Sequence, residues 1–306
     1  VGKGWPVLML GACLPDEVES AVRDNVMPTV SSAKEATLFS AAATKLKQSV
    51  AVHIKVDTGM GRLGAAVGDA IDLIVESARL PGLEVEGIYT HYASVEDDPV
   101  FSRRQRKSFQ RILGRLDDLG IHVPTLHANN SAALLHEPDT LFNLVRVGLL
   151  VYGVSPPGNR QVVAALHQQV RPALSLKCRV SLVKEISRGA SISYGRTFVA
   201  PGKMRVATLT AGYGDGYPRA GSNRAQVLIG GKRCAVLGRI TMDQMMVDVS
   251  KLPRVAPGDE GVLLGQQGRD AITANELALW CNTVPWEILT NISYRVTRVY
   301  RGGQAS

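Results

Sequence analysis

Cysteine is scarce in these 306 residues: Cys13, Cys178, Cys234 and Cys281 stand far apart, with no Cys-x-x-Cys and no histidine at ligand spacing. The usual zinc patterns are thereby excluded, no disulfide framework exists, and a reducing, cytoplasmic compartment is expected. No apolar run approaches the ~18 residues of a membrane span. Lys3 followed by Val7-Leu-Met-Leu-Gly-Ala-Cys13 resembles a lipoprotein signal. Its apolar core of about five residues falls short of the ~7–15 such a signal needs, so a buried strand is the expectation there. Low-complexity tracts and internal repeats are lacking too. So is an initial methionine, and the chain is expected to be missing an upstream segment before Val1.

Charge is present in excess, at a net +8, but it is dispersed. The one dense run, Arg103-Arg104-Gln105-Arg106-Lys107, precedes Phe109, Ile112, Leu113, Leu116 and Leu119 at helical spacing. That pattern predicts the solvated face of an amphipathic helix and no nucleic-acid partner. A basic balance also suits an anionic small ligand such as a phosphate or carboxylate.

The richest stretch is Val52-His-Ile-Lys-Val-Asp-Thr-Gly-Met-Gly-Arg-Leu-Gly64. Val52, Ile54 and Val56 alternate with His53, Lys55 and Asp57, the period of a strand, and a glycine-rich loop ending in Arg62 follows. Polar side chains at the C-terminal end of a strand, followed by such a loop, are what the active face of a parallel α/β barrel presents. A lysine facing a barrel interior is costly unless paired or chemically changed.

Strands are expected at 7–11, 28–31, 51–57, 86–92, 124–129 and 143–149, and helices near 16–24, 32–47, 68–79, 102–119 and 131–137. Alternation of this kind means parallel strands joined by crossover helices. Beyond about residue 165, short β-rich runs follow at 173–186, 191–199, 204–210, 226–236, 245–249, 261–264 and 294–300, with Gly230-Gly231 as a hairpin turn and Thr273-Ala-Asn-Glu276 as a helix cap. The expected architecture is a partial (β/α)8, TIM-like barrel over 1–164 and a mostly antiparallel β domain over 165–306, with Pro156-Pro157-Gly158-Asn159 as the nearest thing to a linker. Six strands are two short of a closed barrel, and about 165 residues stand where ~250 are usual, so the first two βα units are expected to be missing.

Chemistry-bearing residues fall at the strand ends. Tyr89 and His91 share one face, and Arg146 and Gly148 end the last strand. Ser131 is expected as the N-cap of the helix beginning Ala132-Ala-Leu-Leu135, which makes it an anion site suited to phosphate.

With these residues in view, the chain resembles the alanine racemases, enzymes that use pyridoxal phosphate. The matching motifs are Lys55-Val-Asp-Thr-Gly-Met-Gly-Arg62, Tyr89-Thr-His91, His127-Ala-Asn-Asn-Ser131, Arg146-Val-Gly148, Ser193-Tyr-Gly195, Gly212-Tyr-Gly-Asp-Gly-Tyr217, Gly238-Arg-Ile-Thr-Met-Asp243 and Ile292-Ser-Tyr-Arg295. They run in order from end to end.

The resemblance implies interconversion of L- and D-alanine by two bases. Tyr194 would be one base, held by His91 and Arg146, and Arg146 would also donate to the pyridine nitrogen of the cofactor. Ser131, Gly148 and Tyr294 would bind the cofactor phosphate with Asn130 nearby, while Arg62 and Met242 would meet the substrate carboxylate and Tyr213 would shape the pocket entrance. Lys55 matches a position often carbamylated in the family. The family's Schiff-base lysine has no counterpart in these 306 residues, so this chain alone is expected not to racemise. The resemblance further implies a homodimer with shared active sites. Alternatives are a serine or broad-specificity racemase and a non-catalytic carrier of the cofactor.

Overall fold

The computed structural model describes residues 4–137, 142–156 and 170–301. They form two compact units, one reaching to Gly148 and the other made of Leu149–Pro156 with the residues from Val170 onward. The expected boundary at 164/165, most of the Pro156–Asn159 stretch and Lys3 lie outside the described residues.

In the first unit, strands β1 (Val7–Met9), β2 (Val26–Val30), β3 (Val50–Asp57), β5 (Leu83–Tyr89), β6 (Thr125–Asn130) and β7 (Leu144–Arg146) pair in that order. Every pairing is parallel, and a two-residue strand β4 (Ala65–Ala66) sits beside the end of β3. Helices α1 (Val18–Arg23), α2 (Ala33–Leu46), α3 (Ala70–Arg79), α4 (Pro99–Asp118) and α5 (Ser131–His136) alternate with them. On β3 both faces are buried: Val52, Ile54 and Val56 are fully covered, and His53 and Lys55 are each only 2% exposed. A parallel strand sandwiched in this way leaves a lysine no route to bulk water.

Helix α4 behaves as an amphipathic helix should. Phe109, Ile112 and Leu116 are buried while Arg103, Arg104, Lys107 and Arg111 face solvent. It begins three residues earlier than expected because Asp98 accepts the Phe101 N–H and Pro99 occupies the first turn.

The second unit is an antiparallel barrel. Its strands are Leu176–Ile186, Met204–Leu209, Gln226–Ile229, Lys232–Leu237, Met245–Asp248, Glu260–Gln267 and Asp270–Ile272. Gln226–Ile229 pairs with both Lys232–Leu237 and Glu260–Gln267, which closes the ring. Val227, Ile229, Val236, Leu209, Met245, Val247 and Leu263 fill its core. Gly230 and Gly231 both have positive φ, +58° and +71°, as the expected primed hairpin turn requires. Thr273 and Glu276 cap helix Ala274–Cys281 reciprocally.

Two expectations need correction. The run 294–300 is not a strand: the Arg298 guanidinium folds back on its own segment, taking the Val296 carbonyl within the run and those of Ile292 and Ser293 just before it. Ser131 is not the cap of α5. Asn130 is, with its side-chain oxygen accepting the Ala133 N–H at 2.9 Å. Among the described residues, no helix is long and apolar enough to cross a membrane.

Candidate active site

At the C-terminal ends of the parallel strands, Arg146 is the hub. Its Nη1 donates to His127 Nδ1 at 2.7 Å, and its Nη2 donates to the carbonyls of Thr90 (2.7 Å) and Ala128 (3.0 Å) and to His91 Nδ1 (3.1 Å). A guanidinium only donates, so both imidazoles accept and both are neutral. Burial, and then the Arg146 charge, hold His91 down to about 4 and His127 down to about 2. Arg146 is itself lowered to about 10 by burial, still a cation at neutral pH.

Beneath Arg146 lies Tyr89, its ring centroid 4.9 Å from the guanidinium carbon and stacked on His127 at 4.6 Å. The Thr29 hydroxyl donates to the Met9 carbonyl, which leaves the Tyr89 hydroxyl to donate to Thr29 at 2.7 Å. Lys55 also approaches the Tyr89 ring, its Nζ 5.5 Å from the centroid. Burial and the nearby Arg62 and Arg146 bring Lys55 down to about 8.

Asp57, which shares a face with Lys55, serves the loop. Its Oδ1 accepts from the backbone N–H groups of Gly59, Met60 and Gly61 at 2.9, 2.8 and 3.1 Å. Burial would raise this carboxyl, but those three donors hold it below the usual range. Gln105 was not singled out from the sequence, yet it is buried and donates to Thr58 and His91 while accepting from Ala93.

With Asn130 serving as cap, the Ser131 hydroxyl is free to accept the Gly148 N–H at 3.1 Å. Ser131 is 4% exposed, and a Cβ built at Gly148 would meet nothing within 4 Å. Together these leave the Ser131 hydroxyl proton beside open space at Gly148.

In the second unit, three segments are knitted together. Tyr213 N donates to the Thr241 carbonyl and Gly214 N to the Met242 carbonyl, at 3.0 and 2.8 Å. Ser293 Oγ donates to the Gly214 carbonyl, and Arg295 bridges Asp215 (2.8 Å) and Asp243 (2.6 Å). A Cβ at Gly212 would stand 2.1 Å from the Thr241 carbonyl oxygen, so only glycine permits this approach. Tyr213, Met242 and Tyr294 project from this platform, 42%, 53% and fully exposed. Tyr194 also projects, between Ser193 and Gly195 at φ +63° and +69°, and the Ser193 hydroxyl is tied to the Arg239 carbonyl. Backbone of this kind persists only where the surroundings over-determine it, and it clusters at functional sites.

The sequence-derived site residues thus form two sets. His91, Arg146, Asn130, Ser131, Gly148, Arg62 and Lys55 belong to the first unit, and Tyr194, Tyr213, Met242 and Tyr294 to the second.

A parallel α/β sheet whose strand ends carry a cationic hub and an anion cradle, together with a closed antiparallel barrel, defines a two-domain enzyme of the barrel racemase class. The family profile described as "Alanine racemase, N-terminal domain" matches residues 2–156, and "Alanine racemase, C-terminal domain" matches 173–300. An alanine racemase from Carboxydothermus hydrogenoformans is 45% identical over 296 residues, which cover 96% of this chain and 79% of that relative. The solved alanine racemase of Clostridium difficile 630 superposes with a TM-score of 0.88 at 33% identity, covering 98% of this chain and 77% of the other. Biosynthetic alanine racemase from Pseudomonas aeruginosa gives a TM-score of 0.86 at 29% identity, covering 97% and 79%.

The chain belongs to the alanine racemase family and is an isomerase of the pyridoxal 5'-phosphate-dependent kind. The donor set fits that cofactor. The Ser131 hydroxyl, which accepts the Gly148 N–H, keeps its own proton to donate, and the Arg146 guanidinium donates too, while a phosphate and an unprotonated pyridine nitrogen are both acceptors.

Proposed function

We propose that this protein interconverts L- and D-alanine by a two-base mechanism, with the parallel sheet holding the cofactor and the β domain supplying one base. Bound pyridoxal phosphate supplies a ring that takes up the electron pair left when the Cα proton departs. Ser131, Gly148 and Tyr294 hold its phosphate, with Asn130 keeping α5 in place, and Arg146 donates to its ring nitrogen. Tyr194 takes or returns the proton on one face. Arg62 and Met242 receive the substrate carboxylate, and Tyr213 narrows the entrance. The reading includes a homodimer in which the β domain of one subunit completes the other's site.

One observation carries the reading. A guanidinium is held between two neutral imidazoles at the strand ends, where it can donate to a ring nitrogen but cannot protonate it. That arrangement weakens the ring as an electron sink and so favours simple proton exchange over bond cleavages that need a stronger one.

On this reading the covalent amine on the opposite face is none of the lysines among the described residues. Lys55 is the one buried lysine among the described residues, and its amine lies against the Tyr89 ring, with Asp57 on its own strand; the others described are exposed. The test follows from this. With pyridoxal phosphate and alanine in deuterium oxide, this chain should exchange the Cα proton of one enantiomer and invert neither, and Tyr194→Phe should abolish that exchange. Borohydride should leave no cofactor adduct on any lysine. An adduct at a lysine within 1–306, or equal exchange by wild type and Tyr194→Phe, would refute the assignment. Serine in place of alanine distinguishes the broad-specificity alternative.

A further inference from the structure

His53 precedes Lys55 by two residues on β3 and is equally buried, 2% exposed. Its Nδ1 lies 2.8 Å from His127 Nε2, with the two rings edge to face at 70°. The protons in this contact follow from Arg146. Because the guanidinium has only donors, His127 Nδ1 must present a lone pair to it. A neutral imidazole with Nδ1 free carries its proton on Nε2, and that proton points at His53. His53 Nδ1 therefore accepts, and His53 keeps its own proton on Nε2.

Room for this ring is made by its neighbour. His53 pairs in register with Gly87 on β5, and the register shifts between Val52 and His53. A Cβ on Gly87 would stand 2.1 Å from His53 Nδ1 and 2.3 Å from its Cε1. The imidazole occupies the space that any other residue at 87 would fill. Gly87 has no positive φ to account for it, so the close approach of His53 is the reason a glycine stands there. The titratable groups facing this pair are Arg146 from β7, Tyr89 from β5, stacked on His127, and Glu86 from β5, which is engaged by the Thr125 hydroxyl at 3.1 Å.

We propose that His53 is a positioning residue for the reaction. It accepts the Nε2 proton of His127, fixes the tautomer whose Nδ1 receives Arg146, and so aims the guanidinium, with Gly87 as the space that admits it. The proposal rests on the reading that places Arg146 at the cofactor ring, and it extends that reading one residue inward. Without the acceptor, His127 would hold a buried unpaired N–H and could take either tautomer, of which one turns an N–H toward the guanidinium.

Selective 15N labelling of histidine in this chain reads the tautomers directly, with no cofactor present. At pH 8 His127 and His53 should both show the Nε2–H pattern. Gly87→Ala alters none of the three polar residues but pushes the His53 ring away, while His53→Leu removes the acceptor. Both should erase the single-tautomer signature of His127 and weaken pyridoxal phosphate binding roughly tenfold, the loss expected when one buried hydrogen bond is left unpaired. His53→Asn can bring its Oδ1 to the place of Nδ1, and it should restore the signature and bring affinity within about threefold of wild type. Inorganic phosphate affinity should be the same in all three variants. A wild-type His127 protonated on Nδ1 overturns the proposal outright, even if a variant fails to fold. Loss of the signature with unchanged cofactor affinity overturns the positioning role. Failure of the wild type to bind pyridoxal phosphate while His127 keeps its tautomer is a different result, and it refutes the cofactor reading on which the role depends.

Discussion

Lys55 and Tyr89 are register partners on adjacent strands, and the amine of one stands 5.5 Å from the ring centroid of the other. Burial and the like charges of Arg62 and Arg146 outweigh the attraction of Asp57 for that amine. Burial of a cation here is a cost borne by the fold.

The first prediction follows from the sign of that cost. Lys55 titrates at about 8 in the folded chain and at its ordinary 10.5 when unfolded. Between those values the unfolded state binds more protons, so stability rises with pH across that window, by up to about 3 kcal/mol. Below pH 8 both states are charged and the penalty stands in full. Urea midpoints at pH 7.5 and 10 should show this rise in wild type and a flatter response in Lys55→Met. Parallel curves would remove the case for a strained cation.

A neutral buried amine is also a nucleophile, and the second prediction concerns its carbamylation. The nitrogen lone pair attacks the carbon of carbon dioxide and the nitrogen loses a proton, turning a cation into an anion that can face Arg62. With 13C-labelled bicarbonate at pH 8, a carbamate carbon signal should appear in wild type and vanish in Lys55→Met. Its absence from the wild type would leave Lys55 a plain amine.

In acid the sign reverses its cause. His91 and His127 are held near 4 and 2 when folded, against an ordinary 6.5. The unfolded state gains these protons first, so stability falls as pH drops below 6.5 and continues to fall toward 4, at roughly 1.4 kcal/mol per pH unit for each histidine. Urea unfolding between pH 4.5 and 6.5 should lose about one proton's slope in His91→Gln. An unchanged slope would place the acid sensitivity elsewhere.

Gly148 allows a clean test of the anion cradle. A methyl there meets nothing within 4 Å, so Gly148→Ala should leave thermal stability unchanged. It should nonetheless weaken both inorganic phosphate and pyridoxal phosphate, because the methyl stands where the phosphate would lie. Ser131→Ala should cost about tenfold through one lost hydrogen bond. Calorimetric titration showing wild-type phosphate affinity in both variants would count against the cradle.

On the β domain, Arg295 links Asp215 and Asp243, and a Cβ on Gly214 would lie 2.9 Å from its guanidinium. Arg295→Met should speed amide exchange at Tyr213 and Gly214, whose N–H groups bond the Thr241 and Met242 carbonyls. Unaltered exchange there would mean the backbone bonds suffice without the clamp.

Much of the first unit was legible in advance because its signals are local. The strands around β3 and β5 and the helices α2 and α3 stand within a few residues of their expected positions, and the hairpin at Gly230-Gly231 turned as a two-glycine loop must. The misses come from competition between neighbouring side chains for the same backbone groups. Ser131 looked like a cap because serine usually is one, but Asn130 reached the Ala133 N–H first. Residues 294–300 are rich in β-formers, yet Arg298 folds back onto the Val296 carbonyl. The short strand β4 carries no periodic signal in two residues, and only its register with Val56 and Asp57 defines it.

By itself the sequence determined the alternation of strand and helix, the change to short β runs, and the residue types at the strand ends, since period, capping and turn chemistry act over a few neighbouring residues. It also carried the motifs on which family membership rests. Only the tertiary structure decided what those side chains are chemically. Lys55 becomes an amine near 8, His127 a neutral acceptor, and His53 the end of a relay that begins at Arg146. Those states depend on desolvation and on hydrogen bonds between residues as far apart in the chain as His53 and His127, contacts that exist only once the strands lie side by side.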